Sequence, residues 1–290
     1  MGEYSFDNFQ YWFKYHSGSV WDVVGTSYSV EVAFVSDETV VTIFGSALEE
    51  ENAAMQLDFS KYMQRPEYQV GRHVFLDPNT DCSLSYQTLL AGTYLIYMFS
   101  SCSTLDEMKA KYAQQGAQIE DRLSRMLDWL KQTDFYSAPA STAYHDSFCG
   151  GLAYHSLNVY NKMLDLIAVP AFKQVSVTSL ALVALAHDWC KINFYESYLK
   201  NVKDDKTGQW HQEQAWKTNL KGIPLGHGVS SLFLVSRFIN VTAEEALAIR
   251  WHMGRWHCSD VEVNELQKAN ETCPLVYLLQ FADQLACVKY

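Results

Sequence analysis

The amino-acid sequence predicts a mainly α fold, with a smaller β-containing domain at the N-terminal end and helices through the remainder. Three observations carry this. Up to about residue 80, the β-branched runs "SYSVEVAFV" and "ETVVTIFG" flank "SDE", the pattern of a hairpin. From Ser83 the pattern turns helical, with Leu123, Met126, Leu127 and Leu130 recurring at three- and four-residue spacing. After Gly150, amphipathic or wholly apolar segments follow one another. The composition shifts place a β-containing domain at 1–82, a helical connector at 83–140 and a helical domain at 141–290.

Taken in order, "YQVGRHVFLD" adds a further strand to the first domain. No charged residue lies between Asp81 and Asp106, and "LLAGTYLIYMF" inside that window is strongly apolar. A membrane span needs about 20 predominantly apolar residues. Ser, Gln, Thr and Cys interrupt this one, so it predicts a buried helix. "TLDEMKAKYAQQGAQIEDRLSRMLDWLKQ" is the next helix, with Gly116 a candidate interruption, and "YSAPASTAYHDS" is a loop by its Pro, Ser and small residues. "LAYHSLNVYNKMLDLI" is amphipathic, whereas "VSVTSLALVALAHDW" is nearly all apolar, as a helix central to its domain would be. Residues 200–223 are polar with Gly and Trp and predict a long loop. "HGVSSLFLVSRFI" resumes the helical pattern, "TAEEALAIRWH" opens on the capping box Thr242 and Glu245, and "CPLVYLLQFADQLACV" is a final helix with Pro274 in its first turn.

A chain of 290 residues with 48% hydrophobic and 19% charged residues can bury a sizeable core, as one large domain or two smaller ones. Its net charge of -11 argues against a broad basic surface, so no stable duplex nucleic-acid binding is expected. The seven cysteines form no Cys-x-x-Cys pair, so neither a zinc ribbon nor a disulfide framework is indicated. "MGEYSFDNFQYWFKYHS" lacks the cationic start and apolar core of a secretory signal. The expectation is a reducing cytoplasm and no membrane partner. No motif sets an oligomeric state.

The chemistry-bearing residues fall at defined places on this map. His155 lies within one helix, His187 and Asp188 end a second, His227 begins a third, His252 ends a fourth and Asp283 lies inside the last. Each is flanked by core residues, where a lone ionisable group costs several kcal/mol if left unpaired. A single histidine on an apolar helix is more often a hydrogen-bonded core residue, and Asp283 alone could simply pair. As an ordered set they read differently, because a shared divalent metal removes the cost for all of them at once. Mixed His/Asp ligation suits Mn, Fe, Zn or Ni better than Mg or Ca, with Mg still accommodated.

The motifs "GGLAYHS", "LAHDWCK", "PLGHG" and "AIRWHMG", over roughly residues 145–290, resemble the HD superfamily of metal-dependent phosphohydrolases. "HDSFCGGLAYHS" is most similar to the branch with HD-type 3′→5′ exoribonucleases and HD-type relaxases, which carry Gly-Gly-Leu before the first ligand. Where members typically continue the His-Asp pair with Ile-Gly-Lys, this chain has Trp189-Cys190-Lys191, keeping the lysine. The resemblance implies an all-helical catalytic domain in which His155, His187, Asp188 and Asp283 hold one metal. Asp188 would bridge to a second metal held by His227 and His252. Two metals together lower the pKa of a water and clamp phosphoryl oxygens during in-line attack. Lys191 would meet a phosphate oxygen, the alternative being a solvated helix-end lysine. His145 can serve as a proton-transfer or supporting group, or be a plain loop histidine. Arg255 can bind phosphate. Trp251 and Trp256 can stack on a base, although core packing is the ordinary role of both. His211 and His257 read as surface residues, and Gly150 and Gly151 as sites of close backbone approach or a simple turn.

The expected activity is hydrolysis of a phosphoester bond in a nucleotide, cyclic nucleotide or short single-stranded nucleic acid. The acidic balance tilts this toward small nucleotides. Two rivals are 3′-5′ exonuclease action on single strands, motivated by "GGLAYHS", and a non-catalytic nucleotide-sensing module.

Overall fold

The computed structural model describes residues 70–71, 73–102, 105–219, 224–256 and 258–288, together with three short N-terminal strands. These strands are β1 (Val30–Ala33), β2 (Val40–Phe44) and β3 (Gln56–Asp58). β1 and β2 form the expected antiparallel hairpin, Val30 opposite Phe44 and Ala33 opposite Thr42, and β3 pairs with β2 on its other edge. The N-terminal segment "MGEYSFDNFQYWFKYHS" and His257 lie outside the described residues.

Within "YQVGRHVFLD", residues 73–77 form no strand. Val74 is instead buried by a side-chain mimic of strand pairing. Its N–H donates to Asn161 Oδ1 at 2.8 Å, and Asn161 Nδ2 donates back to its carbonyl at 2.7 Å. One polar side chain thus satisfies both backbone groups, and no neighbouring strand is needed.

The helices are α1 (Ser83–Phe99), α2 (Leu105–Gln132), α3 (Gly151–Leu166), α4 (Val177–Ala186), α5 (His227–Val235), α6 (Ala243–Trp251), α7 (Asp260–Thr272) and α8 (Pro274–Ala286). Gly116 lies within α2 without ending it. α1, the apolar uncharged segment, is a buried helix as read, with Tyr86, Leu89, Leu90 and Tyr94 fully enclosed. Among the described residues no helix is long and apolar enough to cross a membrane. α6 opens on the Thr242–Glu245 capping box, α7 on a second one, Ser259–Glu262, and α8 on Pro274.

α4 is the central element. Every residue from Leu180 to Ala186 is buried, and the helix packs against α1, α3 and α6. α3 and α6 in turn pack on α8, and α5 on α6. A helix without a polar face is held by burial, worth about 1.5–3 kcal/mol for each large aliphatic side chain.

The expected long loop over 200–223 is largely a two-stranded antiparallel ribbon, β4 (Tyr195–Lys203) and β5 (Trp210–Thr218), so the C-terminal half is mostly but not entirely helical. Both strands are mainly exposed, so they lack the apolar alternation that marks a strand in sequence. The ribbon's turn carries the signal: Asp204 Oδ1 accepts the N–H groups of Lys206 and Thr207, and Gly208 takes the left-handed φ of 71°.

Candidate metal centre

Two of the histidines are delivered by the same local device. His187 and His252 each occupy the C-cap of a helix, the apolar α4 and the mixed α6. Each ring folds back so that Nδ1–H donates to the carbonyl three residues earlier, Ala184 at 2.8 Å and Ile249 at 2.7 Å. A carbonyl can only accept, so Nδ1 carries a proton and Nε2 is the nitrogen left for a metal. The helix ends are then tied by neighbours. Tyr86 of α1 donates its hydroxyl to Leu185 O and accepts from Trp189 Nε1 at 2.9 Å. Gln280 of α8 donates to Trp251 O at 2.8 Å, and Ser231 of α5 accepts the Cys190 N–H at 3.0 Å.

Asp188 lies at the centre of these groups, 3% exposed. Its two oxygens face different partners. Oδ1 lies 2.8 Å from His227 Nε2 and 3.6 Å from His252 Nε2. Oδ2 lies 3.4 Å from His187 Nε2, 3.7 Å from His155 Nε2 and 2.6 Å from Lys191 Nζ. Asp283 of α8 completes the group, with Oδ1 3.1 Å from His155 Nε2. In both His155–His187–Asp188 and Asp188–His227–His252, one donor atom per residue falls within 4.8 Å of the others. These buried His/Asp clusters can hold a metal ion.

The donors fit such an ion. The Nε2 atoms of His187 and His252 are buried without a hydrogen-bond partner. An unsatisfied buried polar atom costs about 1–3 kcal/mol, which a shared cation removes. Burial opposes charge on Asp188, but the Lys191 ammonium and then His187 outweigh it and hold the carboxyl well below its ordinary range. Burial likewise opposes charge on Asp283, where His155 prevails and lowers it. Both are therefore ready anionic ligands.

All six ligand candidates from the sequence meet here, and Lys191 with them. Lys191 is buried in the short turn Trp189–Lys191 and paired with Asp188, so it is not a solvated helix-end lysine. His145 is also adjacent, its ring 4.7 Å from that of His155. Burial, then the His155 and Lys191 charges, lower its pKa to about 4, so it is neutral at pH 7. Arg255 is exposed on the turn after His252 and is not among the groups gathered on Asp188. Trp251 packs in the core as read, but Trp256 is 73% exposed, because the chain turns outward at Gly254 (φ 59°) once α6 has ended. His211 lies on exposed β5, 2.6 Å from Glu213.

Three contributors escape a reading by residue type and spacing. Asp146, beside His145, places Oδ2 3.3 Å from His155 Nδ1, opposite the face that looks toward Asp283. Its charge, without a hydrogen bond, sits against the Nδ1 edge of His155, the edge that a backbone carbonyl takes up at His187 and at His252. Its loop needs the Gly-Gly pair: Gly150 has φ 87°, and a Cβ on Gly151 would stand 1.9 Å from Asp146 O. Gly228, beside His227, allows the same approach of α5 to α6, its Cβ position lying 2.2 Å from Arg250 O. Cys287, one turn beyond Asp283, borders the cluster.

One consequence is a pH dependence. Burial works against a charge on His155, but Asp146 and Asp283 outweigh it and raise its pKa from 6.5 to about 9. The stability this gives the metal-free protein is complete below 6.5 and is lost as pH rises through about 9. Metal must displace that proton, so metal affinity should climb with pH toward about 9, by up to about tenfold per pH unit, and then level off. Competition against a chelator at several pH values measures this. A flat profile would remove His155 from the ligand set.

Comparison with known proteins gives no match to a family model, a curated protein or a solved structure, so the reading of this centre rests on its own residues.

Proposed function

We propose that this chain is a metal-dependent phosphohydrolase of the HD type, cleaving a phosphoester bond in a nucleotide, cyclic nucleotide or short single-stranded nucleic acid. The observation that supports it best is the division of labour at Asp188. One oxygen faces His227 and His252, the other His155 and His187, as a carboxylate bridging two cations would require. Mn, Fe, Zn or Ni suits this nitrogen and oxygen set. Divalent cations held there supply Lewis acidity to phosphoryl oxygens and lower the pKa of water.

The chain's own groups do the rest. Asp188, Asp283 and the histidines would hold the cations. Lys191 carries a positive charge 2.6 Å from Asp188 and meets a phosphoryl oxygen as a point charge. His145, neutral with a buried unpartnered Nε2, can accept a proton at that atom.

The test is metal analysis beside a panel of phosphomonoesters, cyclic nucleotides and labelled single-stranded oligonucleotides, with each candidate metal. Hydrolysis that requires metal is the expected result, and shortening of the oligonucleotide from its 3′ end would select the exonuclease form. Tight nucleotide binding with no turnover across the panel would replace hydrolysis with sensing. Lys191→Met should keep its metal and lose on the order of 10²-fold in kcat, the scale of removing one transition-state charge contact. Unchanged kcat would assign Lys191 to structure alone.

A further inference from the structure

We infer that Cys287 is a sulfur ligand at the edge of this centre, making it a site for a thiophilic metal such as Zn, Fe or Co rather than Mg or Mn. The inference rests on the metal-centre reading and adds a donor that the histidines and carboxylates do not supply.

Cys287 caps α8, one turn after Asp283, so thiol and carboxylate share a helix face. Its Sγ lies 4.0 Å from Asp283 Oδ1, the oxygen that is 3.1 Å from His155 Nε2. One donor atom each from His145, His155 and Cys287 falls within 4.8 Å of the others, the span that also holds for the two clusters around Asp188. Among the described residues, the candidate ligand groups contain this one cysteine.

Buried polar atoms without partners surround these groups. His155 has no exposed surface, and its Nδ1, His145 Nε2 and Asp146 Oδ2 are all buried without a hydrogen bond. The 3.3 Å approach of His155 Nδ1 to Asp146 Oδ2 brings opposite charges together without hydrogen-bond geometry. Two imidazoles and a thiol thus converge beside Asp283, with the Asp146 carboxylate on the far edge of the His155 ring. Hydrophobic packing would not select that set, and soft-metal ligation does, since sulfur favours Zn, Fe and Co over the harder cations.

The proton balance is simple. The thiolate is the ligand, so binding breaks the S–H bond, forms an S–metal bond and sends the thiol proton to solvent. Wild type should therefore release one more proton per ion than Cys287→Ser.

The experiment loads the full chain with Co(II). Wild type should show the near-ultraviolet sulfur-to-cobalt charge-transfer band. Cys287→Ser should still bind cobalt but lose the band, and Cys273→Ser, altering a cysteine in the core, should keep it. Zn affinity should fall at least about tenfold in Cys287→Ser, the scale on which even outer partners of a metal act. Mn affinity should be nearly unchanged. Cobalt bound by wild type without the band, or with a band that survives Cys287→Ser, overturns the cysteine and leaves the metal centre standing. A wild type that takes up no cobalt overturns both. The wild-type spectrum decides even if the variant folds poorly.

Discussion

Asp188→Ala is expected to lose metal to background, to abolish hydrolysis under the proposed reading, and to destabilise the protein. The carboxylate is the common partner of His155, His187, His227 and His252, so no remaining group can hold both halves of the centre together. The effect on the metal-free fold comes from Lys191. Its ammonium is buried and held 2.6 Å from Asp188, and removing one partner of a buried ion pair leaves the other charge uncompensated. That costs roughly 3–5 kcal/mol, a fall in Tm on the order of 10 °C for a domain of this size. The double variant Asp188→Ala/Lys191→Met should recover much of the Tm without recovering metal, because the stranded charge is gone and the ligand still missing. Metal analysis and thermal unfolding of the two variants separate these roles. Full metal content in Asp188→Ala would show that the centre is wrongly placed.

Gly228→Ala is expected to damage half of the centre. A Cβ there would stand 2.2 Å from Arg250 O and 2.6 Å from Ile249 O, and Ile249 O is the acceptor that fixes the His252 ring. Backbone on both sides cannot yield as a flexible side chain would, so α5 must move off α6. His227 then leaves Asp188 Oδ1 with α5 and parts from His252 on α6, while His155, His187 and Asp283 remain on the other side. Under the two-cation reading the variant should bind one ion fewer than wild type. Its stability should fall by about 1–3 kcal/mol or more, as overpacking does. Gly151→Ala should act on the opposite half, because its Cβ meets Asp146 O at 1.9 Å and displaces the carboxylate beside His155. Equal metal stoichiometry in wild type and Gly228→Ala would count against two positions.

The sequence carries the parts of this centre whose causes are local. His187 and His252 are legible because each closes a helix, and a ring at a C-cap can reach back to the carbonyl three residues earlier. The burial of α1 and α4 follows from their lack of charge, and the starts of α6 and α8 from a capping box and a proline. The β4–β5 ribbon was not legible, because an exposed two-stranded ribbon needs no apolar face. Asp146 and Cys287 stayed hidden for another reason: their roles depend on a neighbour brought in from a distant helix.

By itself, then, the sequence determined most of the helices, α7 excepted, the order of the histidines and carboxylates along them, and the kind of chemistry those donors suit. The tertiary structure alone decided which atoms meet. His155 and Asp283 are 128 positions apart and lie 3.1 Å from each other, a proximity set by α3 packing on α8 that no local rule encodes. The same packing turns the two oxygens of Asp188 toward separate histidine pairs, buries Lys191 against it and brings a thiol to the rim. Helix propensity and capping act within a few residues of chain, whereas the enclosed cluster exists only where five helices and two close backbone contacts at glycine bring its members together.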